Sequence, residues 1–341
     1  MSHSPAPSAT ASATQTIAPA DAVELAVVER SGFVESRHLG AAILLDPDGA
    51  VARSLGDVAA PIFPRSTIKP VQGAVAQSLG ADARDEAAGL AIASHGGTPR
   101  HEAMVERMLT EVGLEVDDLQ CPPAWPGDGR SRSAYAAAGG VPARVLMNCS
   151  GKHAAMLRAC VAQGWPIGTY LDPQHPLQVA IVQALQAAAQ EHVAASGVDG
   201  CGAPVHAISL HGLARATRWA ATASLTSDDP LLAGAARGMD AVRRFPWTID
   251  GSGRENTIVI ESLGTVAKKG AEGVTVMAAP SGHVVAVKVL DGSMRPASLV
   301  ALELLVQAGA LERAAVDEVE AHLGLDLAGG DAVVGRVRAV V

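Results

Sequence analysis

The feature that most constrains the fold is the position of two predicted β-hairpins, one near each end of the chain. Residues 41–45 and 50–55 flank the turn sequence Asp-Pro-Asp-Gly, and residues 273–279 and 283–290 flank Pro-Ser-Gly. Helical periodicity dominates the residues between the two hairpins. Antiparallel hairpins from both ends fit most economically into one sheet, with the helices covering it or forming a second lobe. We therefore expect an α+β fold, without alternating βαβ units.

Periodicity and turn residues predict the remaining elements. Further strands are expected at residues 23–28 and 257–261. Helices are expected at residues 67–79, 84–93, 100–112, 152–163, 176–195, 209–223, 229–243 and 296–308. Residues 1–21 contain mostly Ser, Ala, Thr and Pro, so we expect a disordered tail. Residues 22–341 are expected to form one domain, with a sheet lobe at 22–60 and 250–341 and a helical lobe at about 65–245.

Composition excludes several classes of protein. Hydrophobic residues make up 48% of the 341 residues, but the apolar runs stop well before the ~18 residues of a membrane span. The net charge of −9, the scattered basic residues and an aromatic content of 3% argue against nucleic-acid binding. The four cysteines are not needed to staple so long a chain, and no signal peptide is recognised. We expect a cytoplasmic protein with reduced cysteines.

Lysine is scarce in this chain. Of 26 basic residues only five are lysine: Lys69, Lys152, Lys268, Lys269 and Lys288. Arginine keeps its proton at any working pH, whereas a buried lysine can lose one. GC-rich coding explains the scarcity, but it does not explain why Lys69 and Lys152 each follow a serine or cysteine by three residues.

A Ser-x-x-Lys pair lies at a predicted helix start. Pro70 is poorly tolerated deep inside a helix, so Ser66 and Lys69 should lie side by side in the first turn. A lysine with a lowered pKa can take the proton of a serine nucleophile. Ser94 ends a helix, and Lys268 precedes a strand in a Gly-rich turn. The alternative for Ser66 and Lys69 is a helix cap with a surface lysine. For Ser94 it is a helix-terminal turn, and for Lys268 it is an exposed turn.

Cys149 and Cys201 lie in Gly-rich surroundings and could meet in space, with Lys152 three residues after Cys149. Thiolates are soft ligands that suit zinc. The chain lacks Cys-x-x-Cys, and lysine must be neutral to bind a metal. The alternative is a pair of small buried thiols. Cys160 is expected in the core, and Cys121 is undetermined.

The ordered combination of these blocks resembles the asparaginase II family, the rhizobial-type L-asparaginases, from about residue 23 to the end. The matching blocks are Arg65-Ser66-Thr67-Ile68-Lys69-Pro70, Ala93-Ser94-His95, Asn148-Cys149-Ser150-Gly151-Lys152-His153, His175-Pro176-Leu177-Gln178, Asp199-Gly200-Cys201-Gly202, Lys268 to Gly273 and Lys288-Val289-Leu290-Asp291-Gly292.

The resemblance implies a fold like serine β-lactamases and bacterial glutaminases, a homodimer, and hydrolysis of L-asparagine to L-aspartate and ammonia. It implies two catalytic pairs, Ser66 with Lys69 and Ser94 with Lys268. It also implies a metal trio of Cys149, Lys152 and Cys201, with zinc as a possible ion that the chemistry does not require. The implied substrate-binding neighbours are Arg65, His95, Asn148, His153, Asp199 and Arg254.

Two positions depart from the family pattern. Cys121-Pro122-Pro123-Ala124 stands where the family often has Cys-Gly-x-His, and Asn256 stands where an aspartate is usual. The second change removes a carboxylate that could contact the substrate amine or orient Arg254. Substrate preference or rate is therefore open.

Three rival functions remain from the sequence. A penicillin-recognising enzyme shares Ser-x-x-Lys and Lys-x-Gly, but no Ser-Asp-Asn or Tyr-x-Asn lies at a suitable place. A catalytically silent protein of the same fold would not need the retained Ser66, Lys69, Ser94 and Lys268. The third rival is a glutaminase. Glutamine is one methylene longer than asparagine, which shifts substrate preference by only ~1–3 kcal/mol.

Overall fold

The computed structural model describes residues 15–341, and its main element is an eight-stranded antiparallel sheet. The strands are β1 (Val23–Arg30), β2 (Phe33–Leu45), β3 (Val51–Leu55), β4 (Pro61–Ile62), β5 (Ala195–Val198), β6 (Pro204–Ser209), β7 (Val266–Lys269), β8 (Val274–Ala278), β9 (Val284–Val289), β10 (Asp326–Gly329) and β11 (Ala332–Ala339). The order across the sheet is β10-β11-β1-β2-β9-β8-β7, and β3 also pairs with β2. Strands β4, β6 and β5 form a small second sheet.

Helices occupy the middle of the chain and return near its end. They are α1 (Lys69–Ser78), α2 (Glu86–Ala91), α3 (Pro99–Thr110), α4 (Gly129–Ala137), α5 (Ser150–Gln163), α6 (Pro176–Ala189), α7 (Leu210–Ala221), α8 (Pro230–Arg244), α9 (Glu255–Leu263), α10 (Ala297–Gln307) and α11 (Arg313–Glu320). No helix within residues 15–341 is long and apolar enough to cross a membrane.

The sheet has an apolar core on each face. Neighbouring residues of a strand project to opposite faces, so Ile43 and Ala286 enter one core while Ala42 and Val287 enter the other. The first core continues into the helical region and includes buried residues of α1, α5 and α7. The second is covered by α10 and α11. The expected α+β sheet built from both chain ends is therefore confirmed.

Several predicted elements differ from the structure. Residues 257–261 are not a strand but belong to α9, where the β-branched run Thr-Ile-Val-Ile packs its buried members on a helix face. The helix expected at residues 176–195 ends at Ala189, and two strands of the small sheet follow it. Strands β7, β10 and β11 were not predicted.

The predicted disordered tail at residues 1–21 is partly contradicted. Residues 1–14 lie outside the described part of the chain. Ile17 is buried in the first core, and Pro19–Asp21 form a 3₁₀ turn whose last carbonyl accepts a hydrogen bond from the backbone N–H of Asp57. The disorder prediction is therefore wrong for residues 17–21, because Ile17 gains burial that composition alone does not reveal.

Candidate active site

Seven of the sequence-predicted residues line one cavity of about 240 Å³ between the sheet and the helices. Its lining includes the predicted residues Arg65, Ser66, Ser94, Asn148, Cys149, Asp199 and Cys201. The turn after β7 adds Gly270 and Ala271. Two larger cavities, of about 600 and 620 Å³, contain none of the predicted site residues. Residues more than 200 positions apart in the chain therefore meet at the smaller cavity.

Ser66 lies in a 3₁₀ turn, Arg65–Ile68, that leads directly into α1. Pro70 occupies the first turn of α1, as expected. Arg65 has a left-handed backbone with φ of 54°, which is uncommon for a residue with a side chain. Its guanidinium donates to the Asp199 carboxylate over 2.7 Å. This ion pair across the cavity helps to hold the strained residue next to Ser66.

Ser94 is held between two lysine amines. The Lys268 Nζ lies 2.8 Å and the Lys69 Nζ lies 2.9 Å from the Ser94 hydroxyl oxygen. Lys69 also donates to the Ala93 carbonyl, and Lys268 also donates to the Lys269 carbonyl over 2.8 Å. The predicted Ser94–Lys268 pair is thus formed. The backbone N–H of Lys69 donates to the Ser66 carbonyl, but no side-chain hydrogen bond joins Ser66 to Lys69 among the described residues, because the Lys69 amine turns toward Ser94.

Protonation of both amines beside Ser94 is unfavourable, because two buried positive charges would then lie close together. Both lysines are buried, with 2% or less of each exposed. Burial, and then the positive charge of Lys69, lower the pKa of Lys268 well below its ordinary value. A neutral Lys268 amine has a lone pair that can accept the proton of the Ser94 hydroxyl. The arrangement can therefore move protons between Ser94 and its neighbours.

A second group at the cavity contains the two thiols and a third lysine. The Lys152 Nζ lies 3.3 Å from the Cys201 Sγ, and the Cys149 Sγ lies 3.2 Å from the Asn148 side-chain oxygen. A hydrogen bond from the Cys201 thiol, together with the charges of Lys69 and Lys152, lowers the pKa of Cys149 well below its usual range despite burial. The same pairing and burial raise the pKa of Cys201. These directions favour the thiolate at Cys149 over Cys201.

The neighbouring sulfurs change the pKa of Lys152. Burial acts to lower its pKa, but its interactions with the Cys201 and Cys149 sulfurs outweigh burial and raise the pKa above its ordinary value. Lys152 is therefore an ammonium ion that compensates a buried thiolate.

The donor set of Cys149, Lys152 and Cys201 fits zinc in type, and one of its three separations can be compared with a zinc site. In residues 15–341, no group of three or more His, Cys, Asp or Glu side chains is arranged to hold a metal, so a site here depends on lysine. A zinc tetrahedron with ordinary Zn–S and Zn–N bonds has an S···N edge of about 3.6 Å. The observed Lys152–Cys201 separation of 3.3 Å is close to that edge. Binding would require Lys152 and Cys201 to release their protons.

The prediction that His95 binds substrate is not supported by its position. It is buried and lies outside the cavity lining. Its Nδ1 accepts the backbone N–H of Gly97 over 3.1 Å, and its Nε2 donates to Ser150 Oγ over 2.9 Å. Burial lowers the pKa of His95 well below its ordinary value, so the ring is neutral. Both ring nitrogens are occupied, and His95 instead ties the segment after α2 to the start of α5.

His153 and Arg254 also lie outside the cavity lining. His153 contacts the Tyr170 hydroxyl through Nδ1 at 2.6 Å, and its buried Nε2 has no hydrogen-bond partner among the described residues. Arg254 donates to the Asp250 carboxylate over 2.7 Å and to the Gly127 carbonyl over 3.1 Å. Their predicted contacts with substrate are therefore not matched by their positions.

Asp250 is a functional neighbour that the sequence did not reveal. Its buried carboxylate accepts hydrogen bonds from Arg254 and, over 3.3 Å, from the Asn256 amide. Asn256 accepts the backbone N–H of Lys269 over 3.1 Å, next to Lys268. The carboxylate that orients Arg254 is thus Asp250, and the Asn256 departure removes no such contact. An aspartate before Gly-Ser-Gly reads as an ordinary turn residue in sequence.

The other departure, at Ala124, lies away from the cavity lining. The backbone of Ala124 pairs with that of Ala143, and the nearby Cys121 is buried with its thiol directed at the Arg144 carbonyl. The family often has a histidine at this position. Among residues 15–341 of this chain, no other residue that lines the cavity takes the place of that imidazole.

Comparison with known proteins supplies a family. The family model described as L-asparaginase II matches residues 26–339 of the chain. No curated protein matches the sequence.

Solved structures with similar folds are distant. A structure of a protein named Mglu is 13% identical with a TM-score of 0.42, over 80% of this chain and 67% of that chain; in a second Mglu structure the matched region spans 64% of the chain. A β-lactamase from Mycobacterium bovis is 16% identical with a TM-score of 0.42, over 84% of this chain and 95% of that chain. A Bacillus glutaminase is 12% identical with a TM-score of 0.37, over 80% of this chain and 91% of that chain.

Proposed function

This chain belongs to the L-asparaginase II family and is a hydrolase of the amidase type, and from that premise we propose that it hydrolyses L-asparagine to L-aspartate and ammonia. The observation that carries the proposal is the shared cavity of Ser66 and Ser94, with the Ser94 hydroxyl held between two buried lysine amines. Amide hydrolysis requires a nucleophile and a means of moving protons to the leaving ammonia. Both are present within one cavity.

The proposed chemistry begins with attack of the Ser66 oxygen on the side-chain amide carbon of asparagine. The Ser66 proton passes to Lys69 or to the Ser94–Lys268 pair that Lys69 contacts. The same network then gives a proton to the departing amine, so that ammonia leaves and an aspartyl ester remains on Ser66. Water attacks this ester, the serine oxygen regains a proton, and L-aspartate is released. Apo geometry often tightens when substrate binds, so the missing side-chain hydrogen bond between Ser66 and Lys69 does not exclude direct transfer.

The cavity also suggests how the amino acid is held. The Asp199 side chain is 14% exposed and lines the cavity; burial opposes its ionisation, but its bond to Arg65 prevails and keeps the pKa of the carboxyl below its usual value. We propose that this carboxylate binds the α-ammonium group, and that Asn148 binds through its amide. The cavity of about 240 Å³ is smaller than the ~300–1,000 Å³ of most ligand pockets. We propose that the small cavity takes the shorter amide, asparagine, as its better substrate, a preference that the comparison with glutamine tests.

Zinc, if bound, would be held by Cys149, Lys152 and Cys201 and would supply a fixed positive charge beside the cavity. None of the proposed steps passes through it. The homodimer and the cytoplasmic location stay predictions.

The test is ammonia release from L-asparagine and L-glutamine by the wild type and by Ser66→Ala, with and without added zinc. We expect asparagine to be the better substrate and Ser66→Ala to abolish turnover, because the acyl-enzyme can then no longer form on Ser66. Full activity of Ser66→Ala would refute the assignment of the nucleophile. Absence of ammonia release from both substrates by the wild type would refute the proposed reaction.

A further inference from the structure

Lys288 is a buried lysine that the proposed chemistry does not use. It lies in β9, is 7% exposed, and has no ion-pair partner within 4.0 Å among residues 15–341. Its ammonium donates to the carbonyl oxygen of Glu272 over 2.8 Å and to that of Val289. The carboxylates of Glu272 and Asp291 favour the charged form from a distance, but burial still lowers the pKa of Lys288, so the buried cation depends on its hydrogen bonds. The position of Lys288 therefore indicates a specific use of those two carbonyl contacts.

Lys288 shares a sheet face with Lys268. Lys288 pairs with Val274 and Lys268 pairs with Val276, in the antiparallel ladders on either side of β8. Cross-strand partners project to the same face, and so do residues two apart in one strand. Val274 and Val276 belong to the core that faces the helical region. Lys288 therefore lies on the sheet face that borders the cavity, two strands away from Lys268.

The carbonyl that Lys288 holds belongs to the turn between β7 and β8, residues 270–273. Gly270 and Ala271 of this turn line the cavity. Glu272 and Gly273 have left-handed backbones, with φ of 56° and 71°. Glu272 carries a side chain, so its conformation is strained and needs support from its surroundings.

The same turn packs closely on the segment that precedes Ser66. A Cβ added at Gly270 would lie 2.9 Å from the Pro64 carbonyl oxygen, which leaves no room for a side chain. On the other side, the Gly273 carbonyl accepts the backbone N–H of Val289 over 2.8 Å. A displacement of the turn would thus change the cavity wall next to the proposed nucleophile.

We propose that Lys288 is a positioning residue: by holding the Glu272 carbonyl, it fixes the turn at residues 270–273 as a wall of the catalytic cavity. The effect on rate rests on the proposed function, whereas the effect on the turn does not. A displacement of about 1 Å in a catalytic site can lower the rate by as much as 10²-fold. Loss of the Lys288 donor should therefore reduce activity although Lys288 lies outside the cavity lining.

The test compares Lys288→Met with Arg158→Met. Methionine has a similar length and suits a buried site, but it cannot donate. Arg158 is a matched control, because it is also buried and also donates to backbone carbonyls, those of Ala81 and Met108. We expect kcat/KM for asparagine to fall about 10- to 100-fold in Lys288→Met. Arg158→Met should lower thermal stability at least as much and keep kcat/KM within about twofold of wild type.

A conservative variant separates positioning from general stability. Lys288→Arg keeps a cationic donor within reach of the Glu272 carbonyl, and should recover most of the activity that Lys288→Met loses. Equal losses in Lys288→Arg and Lys288→Met, or an unchanged kcat/KM in Lys288→Met, would overturn the proposal. If Lys288→Met does not fold, Lys288→Gln takes its place with the same expectations, because its shorter side chain does not reach Glu272.

Hydrogen exchange distinguishes failure of this inference from failure of the proposed function. In folded Lys288→Met, the amide of Gly270, which donates to the Val274 carbonyl over 2.8 Å in the turn, should exchange faster, while those of β8 stay protected as in wild type. This readout does not need a substrate. If the wild type hydrolyses no amide, faster exchange confined to the turn still supports the positioning role, and unchanged exchange in the turn overturns it.

Discussion

The two sides of the cavity use buried lysine in opposite ways. On one side, Lys268 lies beside a second cation, Lys69, and its pKa is lowered. On the other side, Lys152 lies beside two sulfurs, and its pKa is raised. Both lysines are almost completely buried, at 2% and 3% exposure. Since burial alone favours the neutral amine in both, the neighbouring charge decides the protonation state.

This difference separates two kinds of chemistry within one small cavity. A neutral amine at Lys268 can accept a proton from Ser94, which suits amide hydrolysis. A permanent ammonium at Lys152 cannot do so in the metal-free protein, but it stabilises the Cys149 thiolate. The sequence motifs Ser-x-x-Lys and Cys-x-x-Lys look alike, and only their neighbours in space distinguish them.

The largest expected effect in this comparison comes from replacing Lys268 with arginine, which is always charged, and comparing it with the same replacement at Lys152. Lys268→Arg should lower kcat for asparagine by about 10²–10⁴-fold, the usual contribution of general acid–base catalysis. Lys152→Arg keeps the charge beside the thiolate, so in chelator-treated protein its kcat should fall far less. Steady-state kinetics of both variants measure the contrast. Equal losses in the two variants would show that the lysines do not differ as described.

The sequence predicted the α+β sheet and most of the cavity lining, because hairpin turns and short motifs are local signals. It did not predict that the Lys69 amine turns to Ser94, since that contact depends on where the segment after α2 lies relative to α1. The β-branched run of α9 predicts a strand because such residues favour strands. The prediction fails because packing overrides local propensity there. Asp250 was missed because its partners, Arg254 and Asn256, gave no motif that marked a buried carboxylate.

A smaller effect is expected from Asp199→Asn on the sulfur side of the cavity. The change removes the negative charge that we propose binds the α-ammonium group, and it weakens the contact that holds Arg65. We expect KM for asparagine to rise about 10-fold, with a smaller change in kcat, as for a lost charged hydrogen bond. Steady-state kinetics with asparagine measure both constants. An unchanged KM would remove Asp199 from the binding site.

The smallest effect comes from making the surroundings of Lys268 more like those of Lys152. Asn256→Asp adds a carboxylate near Asp250, whose charge already favours protonated Lys268. An added anion raises the pKa of Lys268. The rate rises as this base loses its proton, so the pH profile of kcat/KM should move to higher pH. At neutral pH we expect kcat/KM to fall about three- to tenfold, because a smaller fraction of Lys268 is then neutral.

Asn256→Ala serves as the control for this change, because it removes the same amide without adding charge. Its pH profile should keep the wild-type midpoint even if its rate is lower. A profile of Asn256→Asp that moves to lower pH, or coincides with that of Asn256→Ala, would contradict the proposed role of Lys268 as a base.

The small number of lysines allows a direct measurement of the central contrast. Protein labelled with ¹³C at the lysine ε carbon contains only five such residues, and Lys268→Arg and Lys152→Arg assign two of their NMR signals. In metal-free protein, we expect the Lys268 signal to titrate well below the ordinary lysine value of 10.5, while the Lys152 signal stays at its ammonium position over the same pH range. A Lys268 signal that remains that of an ammonium ion throughout the range of enzyme activity would contradict the account.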